Sequence, residues 1–335
     1  MHYSSIVSLN KPKVLIAGGT GFLGFNLSKK LLQTDSFGIT IVDNFSTSER
    51  SNLVKLREYG NFDFIEASIE DLPSDMQINQ IYNLACPASP FHYQENPIET
   101  WKASTFGLYS LLEIAKRNKA TLLQASTSEI YGDPLQHPQK EEYWGNVNPI
   151  GVRSCYDEGK RAAESLIYDY RRAYGLDAKI VRIFNTYGPY MHPNDGRAVS
   201  NFIMAALKNE TLEIYGDGTA TRCFCFVDDL VDGLISAMGT SFDVPINLGS
   251  KTEIKISKLA EIIIKITKSS SQIRHVLAKS DDPVMRQPDL ARATEILSWT
   301  SSVELQDGLE KTVMYFKETI SSPADLTLTL QRKSS

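Results

Sequence analysis

Tyr156 and Lys160 stand four apart in 154-SCYDEGKRAAE-164. On a helix that spacing puts both on one face, about one turn apart. A free phenol has a pKa near ~10 and is a poor base at neutral pH. An ammonium beside it, joined by a positively charged cofactor ring, stabilises the phenolate. Such a pair suits removal of the proton from an alcohol. Upstream, 125-ASTSEIYGDP-134 follows the apolar Leu122 and Leu123 and offers two hydroxyls and a carboxylate in succession: Thr127, Ser128 and Glu129. A YxxxK alone is usually an exposed tyrosine beside a surface lysine. Its weight here comes from a loop much earlier in the chain.

That loop is 18-GGTGFLG-24, in which Gly18, Gly21 and Gly24 have the spacing GxxGxxG. Glycines there allow a tight turn, close approach of backbone to a pyrophosphate, and close packing of helix on strand. Phe22 and Leu23 open the helix whose free N–H groups and dipole face the phosphates. Asp43 ends the next strand 19 residues past Gly24, where a carboxylate accepts hydrogen bonds from the adenosine ribose and favours NAD over NADP. Arg50 nearby keeps NADP open as the alternative. Asn44, Ser68, Ile69 and Leu84, in or beside the later strand ends, and Thr186 after the sixth strand complete the candidate cofactor residues.

These groups need a sheet to carry them. Val14–Ala17, Ile39–Val42, Phe62–Ile65, Ile81–Leu84, Thr121–Ala125 and Lys179–Phe184 read as strands, with helical patterns over Phe22–Leu32, Ile98–Lys116 and Cys155–Tyr174. Such alternation predicts an α/β fold, a doubly wound parallel sheet of Rossmann type. Residues 12–185 are expected to form the NAD-binding domain. Residues 186–320 form a smaller α/β substrate region with a soft, interleaved boundary, and 321–335 a polar tail. Net charge −5 and 22% charged residues give no reason to expect nucleic acid or an anionic membrane as partner. No apolar run has transmembrane length, and MHYSSIVSLNKPK lacks a signal peptide's apolar core, so the expected location is cytoplasmic. The four cysteines have no metal-ligand spacing and read as reduced, structural thiols. The five histidines show no such spacing either, and no metal is expected.

The glycine loop, the hydroxyl-bearing strand end and YxxxK together resemble extended short-chain dehydrogenases acting on nucleotide sugars, over about residues 12–318. The stretches 86-CPASP-90, 125-ASTSEIYGDP-134, 137-HPQKEEYWGNVNPIGVRSCYDEGKR-161 and 182-RIFNTYGPYMHPNDGRAVSNF-202 narrow the resemblance to the UDP-glucuronate decarboxylases of that family. It implies oxidation at C4 of UDP-glucuronate, loss of CO₂ from the resulting β-keto acid, and re-reduction to UDP-xylose by a tightly held NAD. By the resemblance, Thr127 positions the C4 oxygen with Tyr156, and Glu129 lies near C5 and C6. Ser128 stands where related 4,6-dehydratases carry an aspartate that protonates a leaving hydroxyl, so an acid for dehydration is missing. Arg286 in 282-DPVMRQPDL-290 becomes the cation for the substrate carboxylate. Asn185, His192, Arg197, Tyr215 and Arg222 become contacts to the nucleotide and sugar, Tyr215 near the uracil and Arg222 on a phosphate.

The resemblance further implies a homodimer built through a four-helix bundle of the helices around Ile98–Lys116 and Cys155–Tyr174. Three serines depart from the family pattern on the cofactor side: Ser48 for a glycine, Ser68 for an aspartate that contacts adenine, and Ser104 for an asparagine. Loss of one adenine hydrogen bond would weaken NAD by ~0.5–1.5 kcal/mol. The rival readings are a nucleotide-sugar C4 epimerase, a 4,6-dehydratase, a decarboxylase that releases the 4-keto pentose, and, from another class, a non-catalytic NAD-sensing protein.

Overall fold

The computed structural model describes residues 11–278 and 285–321. Residues 282–284 of the Arg286 segment, and the polar tail beyond Ser321, lie outside the described residues. Six parallel strands come in chain order: β1 (Lys13–Ala17), β2 (Gly38–Asp43), β3 (Asp63–Glu66), β4 (Gln80–Asn83), β5 (Thr121–Thr127) and β6 (Ala178–Ile183). Ile246–Leu248 adds a seventh from far along the chain, and the order across the sheet is Ile246–Leu248, β6, β5, β4, β1, β2, β3. The order reverses between β1 and β4. Beyond the carboxyl ends of strands at such a point, the outgoing loops diverge and leave a crevice.

The composition of the strands explains their place. Val14, Leu15 and Ile16 are all fully buried, and side chains pointing to opposite faces join different cores. A strand covered on both faces reads as a continuous apolar run rather than an alternation. One core, on the side of the helices Leu108–Asn118 and Ser154–Tyr174, includes Leu15, Leu111, Leu122 and Ile167. The other continues from Val14, Ile16 and Phe25 into Val199, Phe226, Leu230 and Phe316, uniting the sheet with the C-terminal half. The strand ends differ from the expected bounds by one or two residues; β5 continues two past Ala125, to Thr127. The helix expected over Ile98–Lys116 is built in pieces: Pro97–Lys102, a π-helical turn Ala103–Gly107, then Leu108–Asn118. A Cβ at Gly107 would lie 2.4 Å from the tip of the Ile69 side chain, in the turn after β3, so a larger residue there would have to displace that side chain.

Beyond β6 the chain makes small sheets. Thr221–Cys223 pairs antiparallel with Glu253–Lys255 and parallel with Met285–Arg286, bringing Arg222 opposite Arg286. The seventh strand is tied into this region by Asn247. Its Nδ2 donates to the carbonyls of Gln139 (3.0 Å) and Asp289 (3.1 Å), and its Oδ1 accepts from the Tyr131 hydroxyl at 2.8 Å.

Candidate active site

Every residue named above as a site candidate lines one crevice of about 1700 Å³ at the carboxyl ends of β1–β6. At its cofactor end, Gly18 has φ +74, and a Cβ at Gly24 would sit 1.9 Å from the Gly18 carbonyl. No side chain caps the helix Phe22–Thr34, whose N-cap is Gly21. Its first N–H groups are left for an anion. Asp43 is held from two sides: Oδ2 accepts from Thr20 N at 3.0 Å, and Oδ1 from Phe45 N and the Ser48 hydroxyl, each at 2.9 Å. Ser48 also meets Thr20 Oγ1 at 2.8 Å, so this departure from the expected family pattern helps orient the Asp43 carboxylate. Ser68 accepts from Asn44 Nδ2 at 3.0 Å. Arg50 is paired with Glu66 (Nη1 to Oε2 2.7 Å) and lies over the Phe45 ring. Loop, helix start and anchored carboxylate fit NAD.

The reacting end is carried by β5 and the helix Ser154–Tyr174. Thr127 closes β5, accepts from Glu129 N at 3.2 Å, and hydrogen-bonds the Tyr156 phenol. Lys160 Nζ donates to the Ala125 carbonyl at 2.9 Å and lies 5.7 Å from the centre of the Tyr156 ring. Burial, with Cys86 nearby, pushes the phenol up, so in the free protein it is a neutral hydroxyl. Below these groups Glu164 binds Ser126 Oγ (2.5 Å) and Arg182 through both oxygens (3.0 and 2.8 Å). That buried bidentate pair clamps β5, β6 and the tyrosine helix together and fixes the distance from Thr127 to Tyr156. Tyr93 stacks on Tyr156 with ring centres 4.9 Å apart and planes 2° from parallel.

Glu129 and Arg286, 157 residues apart in the chain, form an ion pair in which Nη2 also reaches the second carboxylate oxygen at 3.2 Å. Arg153 pairs with the same carboxylate from the other side. Burial pushes the Glu129 carboxyl up; the two guanidinium groups outweigh it and hold the group well below the usual carboxylate range. Ser128 is buried beside this cluster. Arg222 and Tyr215 line the far wall, and Arg197, paired with Asp195, reaches over the Phe22 ring toward the cofactor loop. His192 contacts Glu49 at 3.0 Å, across the cofactor side of the crevice. Asn185 and Thr186 bind back to the fold: the Asn185 carbonyl takes Cys225 N (2.9 Å), and the Thr186 hydroxyl donates to the Phe184 carbonyl (2.9 Å).

Sequence reasoning passed over two residues that the structure puts at the centre, Arg153 and Tyr93. Arg153 lies three before Tyr156, a helical spacing that points both toward one face. Tyr93 has no comparable signal; its neighbour is known only once the helix Pro90–Glu95 is placed.

A family model described as the NAD dependent epimerase/dehydratase family matches residues 14–249. The chain belongs to that family. Within the epimerase/dehydratase family it is similar to UDP-glucuronic acid decarboxylase 1 of Xenopus tropicalis, 46% identical over 316 residues, covering 94% of this chain and 75% of the relative. It is also similar to UDP-glucuronic acid decarboxylase 3 of Arabidopsis thaliana, 47% identical over 297 residues, covering 89% and 86%. Among solved family structures it resembles UDP-glucuronic acid 4-epimerase from Bacillus cereus in complex with UDP-glucuronic acid and NAD. That likeness has TM-score 0.84 and 26% identity, covering 92% of this chain and 99% of that one. UDP-glucose 4-epimerase from Thermotoga maritima, with UDP-glucose, is similar at TM-score 0.84 and 27% identity, covering 92% and 100%.

Proposed function

We propose that this protein is an NAD-dependent UDP-glucuronate decarboxylase that makes UDP-xylose. The observation that carries the reading is one crevice holding both an alcohol-oxidation set, Thr127–Tyr156–Lys160, and a buried arginine pair, Arg153 and Arg286, around Glu129. Similarity to decarboxylases over 94% of the chain supports it. Gly18, Gly21, Gly24, Asp43 and the neighbouring strand ends hold NAD. When bound, NAD would supply the hydride acceptor for oxidation at C4 and, once reduced, the hydride donor for the return step.

Thr127 fixes the C4 oxygen, and Tyr156 takes the O–H proton as C4 becomes a ketone, with the Lys160 cation stabilising the phenolate. Arg286 holds the sugar carboxylate beside Glu129, and Arg222 a phosphate oxygen. The C5–C6 bond then breaks and C6 leaves as CO₂; its electron pair passes toward the C4 carbonyl, C5 takes a proton from solvent, and the C4 ketone would then be reduced. Ser128 leaves the place of a dehydratase acid without a charge, which favours a carboxylate substrate over loss of water. Incubation with UDP-glucuronate and NAD, followed by NMR of the sugar and measurement of CO₂, is expected to show UDP-xylose and CO₂ in equal amounts. Turnover of a neutral UDP- or dTDP-hexose with no CO₂ from UDP-glucuronate overturns the reading; a C4 epimer that keeps its carboxylate would favour an epimerase.

The assembly proposed with this function is a homodimer. Ile98, Phe106 and Tyr109 are exposed on the helices around Pro97–Asn118, and a second copy of the same face covers them. Light scattering is expected to give about twice the 37.4 kDa chain mass. All four cysteines are free thiols, which supports the cytoplasm as compartment.

A further inference from the structure

Among the described residues, three buried side-chain atoms have no hydrogen-bond partner, and all belong to residues around the Glu129 cluster: Tyr93 Oη, Asp157 Oδ1 and Arg286 Nε. Asp157 is the residue after Tyr156, in the first turn of the helix Ser154–Tyr174, and is only 6% exposed. A carboxylate oxygen there has given up water and gained no donor in return. That cost falls on the ionised form far more than on the neutral acid. The charged and titratable groups facing it come from several elements. They are Tyr93 on the helix Pro90–Glu95, Glu129 after β5, Arg286 on its short strand, and Arg153, Cys155, Tyr156 and Glu158 on its own helix or its cap.

We propose that Asp157 is held as the neutral acid and is a positioning residue for specificity, its missing charge allowing Arg153 and Arg286 to receive a substrate carboxylate beside Glu129. Ionised, Asp157 would compete with that carboxylate for the same two guanidinium groups and repel it. Burial, reinforced by the Glu129 charge and only partly offset by Arg153 and Arg286, pushes its carboxyl up to about 8. The proposal rests on UDP-glucuronate as substrate and extends it: carboxylate recognition should have an alkaline limit that an uncharged sugar does not share. One added unit charge within about 10 Å, at an effective dielectric of about 20, changes carboxylate affinity by on the order of tenfold.

The test compares wild type with Asp157→Asn, which keeps the shape and cannot ionise. Between pH 6.5 and pH 9.5, the KM for UDP-glucuronate in wild type is expected to rise roughly tenfold as the pH passes about 8. The inhibition constant of UDP-xylose, which has no carboxylate, is expected to stay level. In Asp157→Asn the rise in KM should vanish. A rise that persists in the variant, or an equal pH dependence for UDP-xylose, overturns the proposal. If the variant does not fold, direct titration decides: a ¹³C-labelled Asp157 carboxyl that ionises in the ordinary carboxylate range overturns it, and one that stays protonated at pH 7 supports it. That NMR readout needs no substrate, so failure of the UDP-glucuronate reading shows separately, as absence of binding at every pH.

Discussion

Glu129→Gln withdraws the anion shared by Arg153 and Arg286 while keeping the side-chain shape. Removing one member of a buried ion pair typically costs ~3–5 kcal/mol, because the partner is left in a medium that solvates it poorly. The amide oxygen of glutamine still accepts from one guanidinium, so about 3 kcal/mol is the expected loss. For a chain of this size that is a fall in Tm of roughly 5 °C. Differential scanning fluorimetry at pH 7 measures it directly. The same structure predicts how ligands act on the variant. UDP-glucuronate brings its own carboxylate to Arg286 and should raise the Tm of Glu129→Gln by more than that of wild type. UDP-xylose, lacking that group, should raise both alike. An unchanged Tm in the variant, or equal rescue by the two nucleotide sugars, would show that Glu129 is not the anion holding the arginines.

Tyr156→Phe keeps the stacked ring against Tyr93 and removes the proton acceptor, so kcat should fall by ~10²–10⁴ with NAD affinity little changed, checked by steady-state kinetics and cofactor titration. Ser48→Gly removes the hydroxyl between Thr20 and Asp43, freeing a lone pair on Asp43 Oδ1 but loosening its orientation; NAD affinity should shift by about threefold to tenfold by calorimetry. Gly24→Ala places a methyl 1.9 Å from the Gly18 carbonyl, so the loop must open and NAD binding should be lost in a protein that still shows α/β circular dichroism. Asp157 has its folded-state pKa raised from 3.8 to about 8, so the folded protein binds the extra proton between those values and wild-type stability falls as pH rises through that window. The Tm advantage of Asp157→Asn over wild type should therefore grow from near zero at pH 4 to a plateau above pH 8.

The sheet was legible because strands buried on both faces must be apolar without interruption, and Val14–Ile16 and Ile180–Val181 are. The glycine loop was legible for the same reason of constraint: close backbone approach admits only glycine at Gly18 and Gly24. Long-range electrostatics were not. Spacing says nothing about which cation meets Glu129, and Arg286 entered only through resemblance. Arg153 and Asp157 sit in a charged stretch whose usual fate is a solvated helix face; only the packing of Tyr93 and the Arg286 strand shows that this face is buried. The π-helical turn at Ala103–Gly107 was equally invisible, since a single such turn inside a helix has no distinct residue signature.

The seventh strand, Ile246–Leu248, has a consequence for anyone who would cut or graft this chain. It runs beside β6 although some sixty residues separate the two in the chain, and Asn247 fastens it to the loops at Gln139 and Asp289. The sheet and the C-terminal half are therefore not exchangeable cassettes. A fragment ending at residue 185 would expose the outer edge of β6 as an unpaired strand and should self-associate rather than bind NAD as a monomer. A new sugar specificity is better sought by replacing side chains along the crevice than by exchanging halves between relatives.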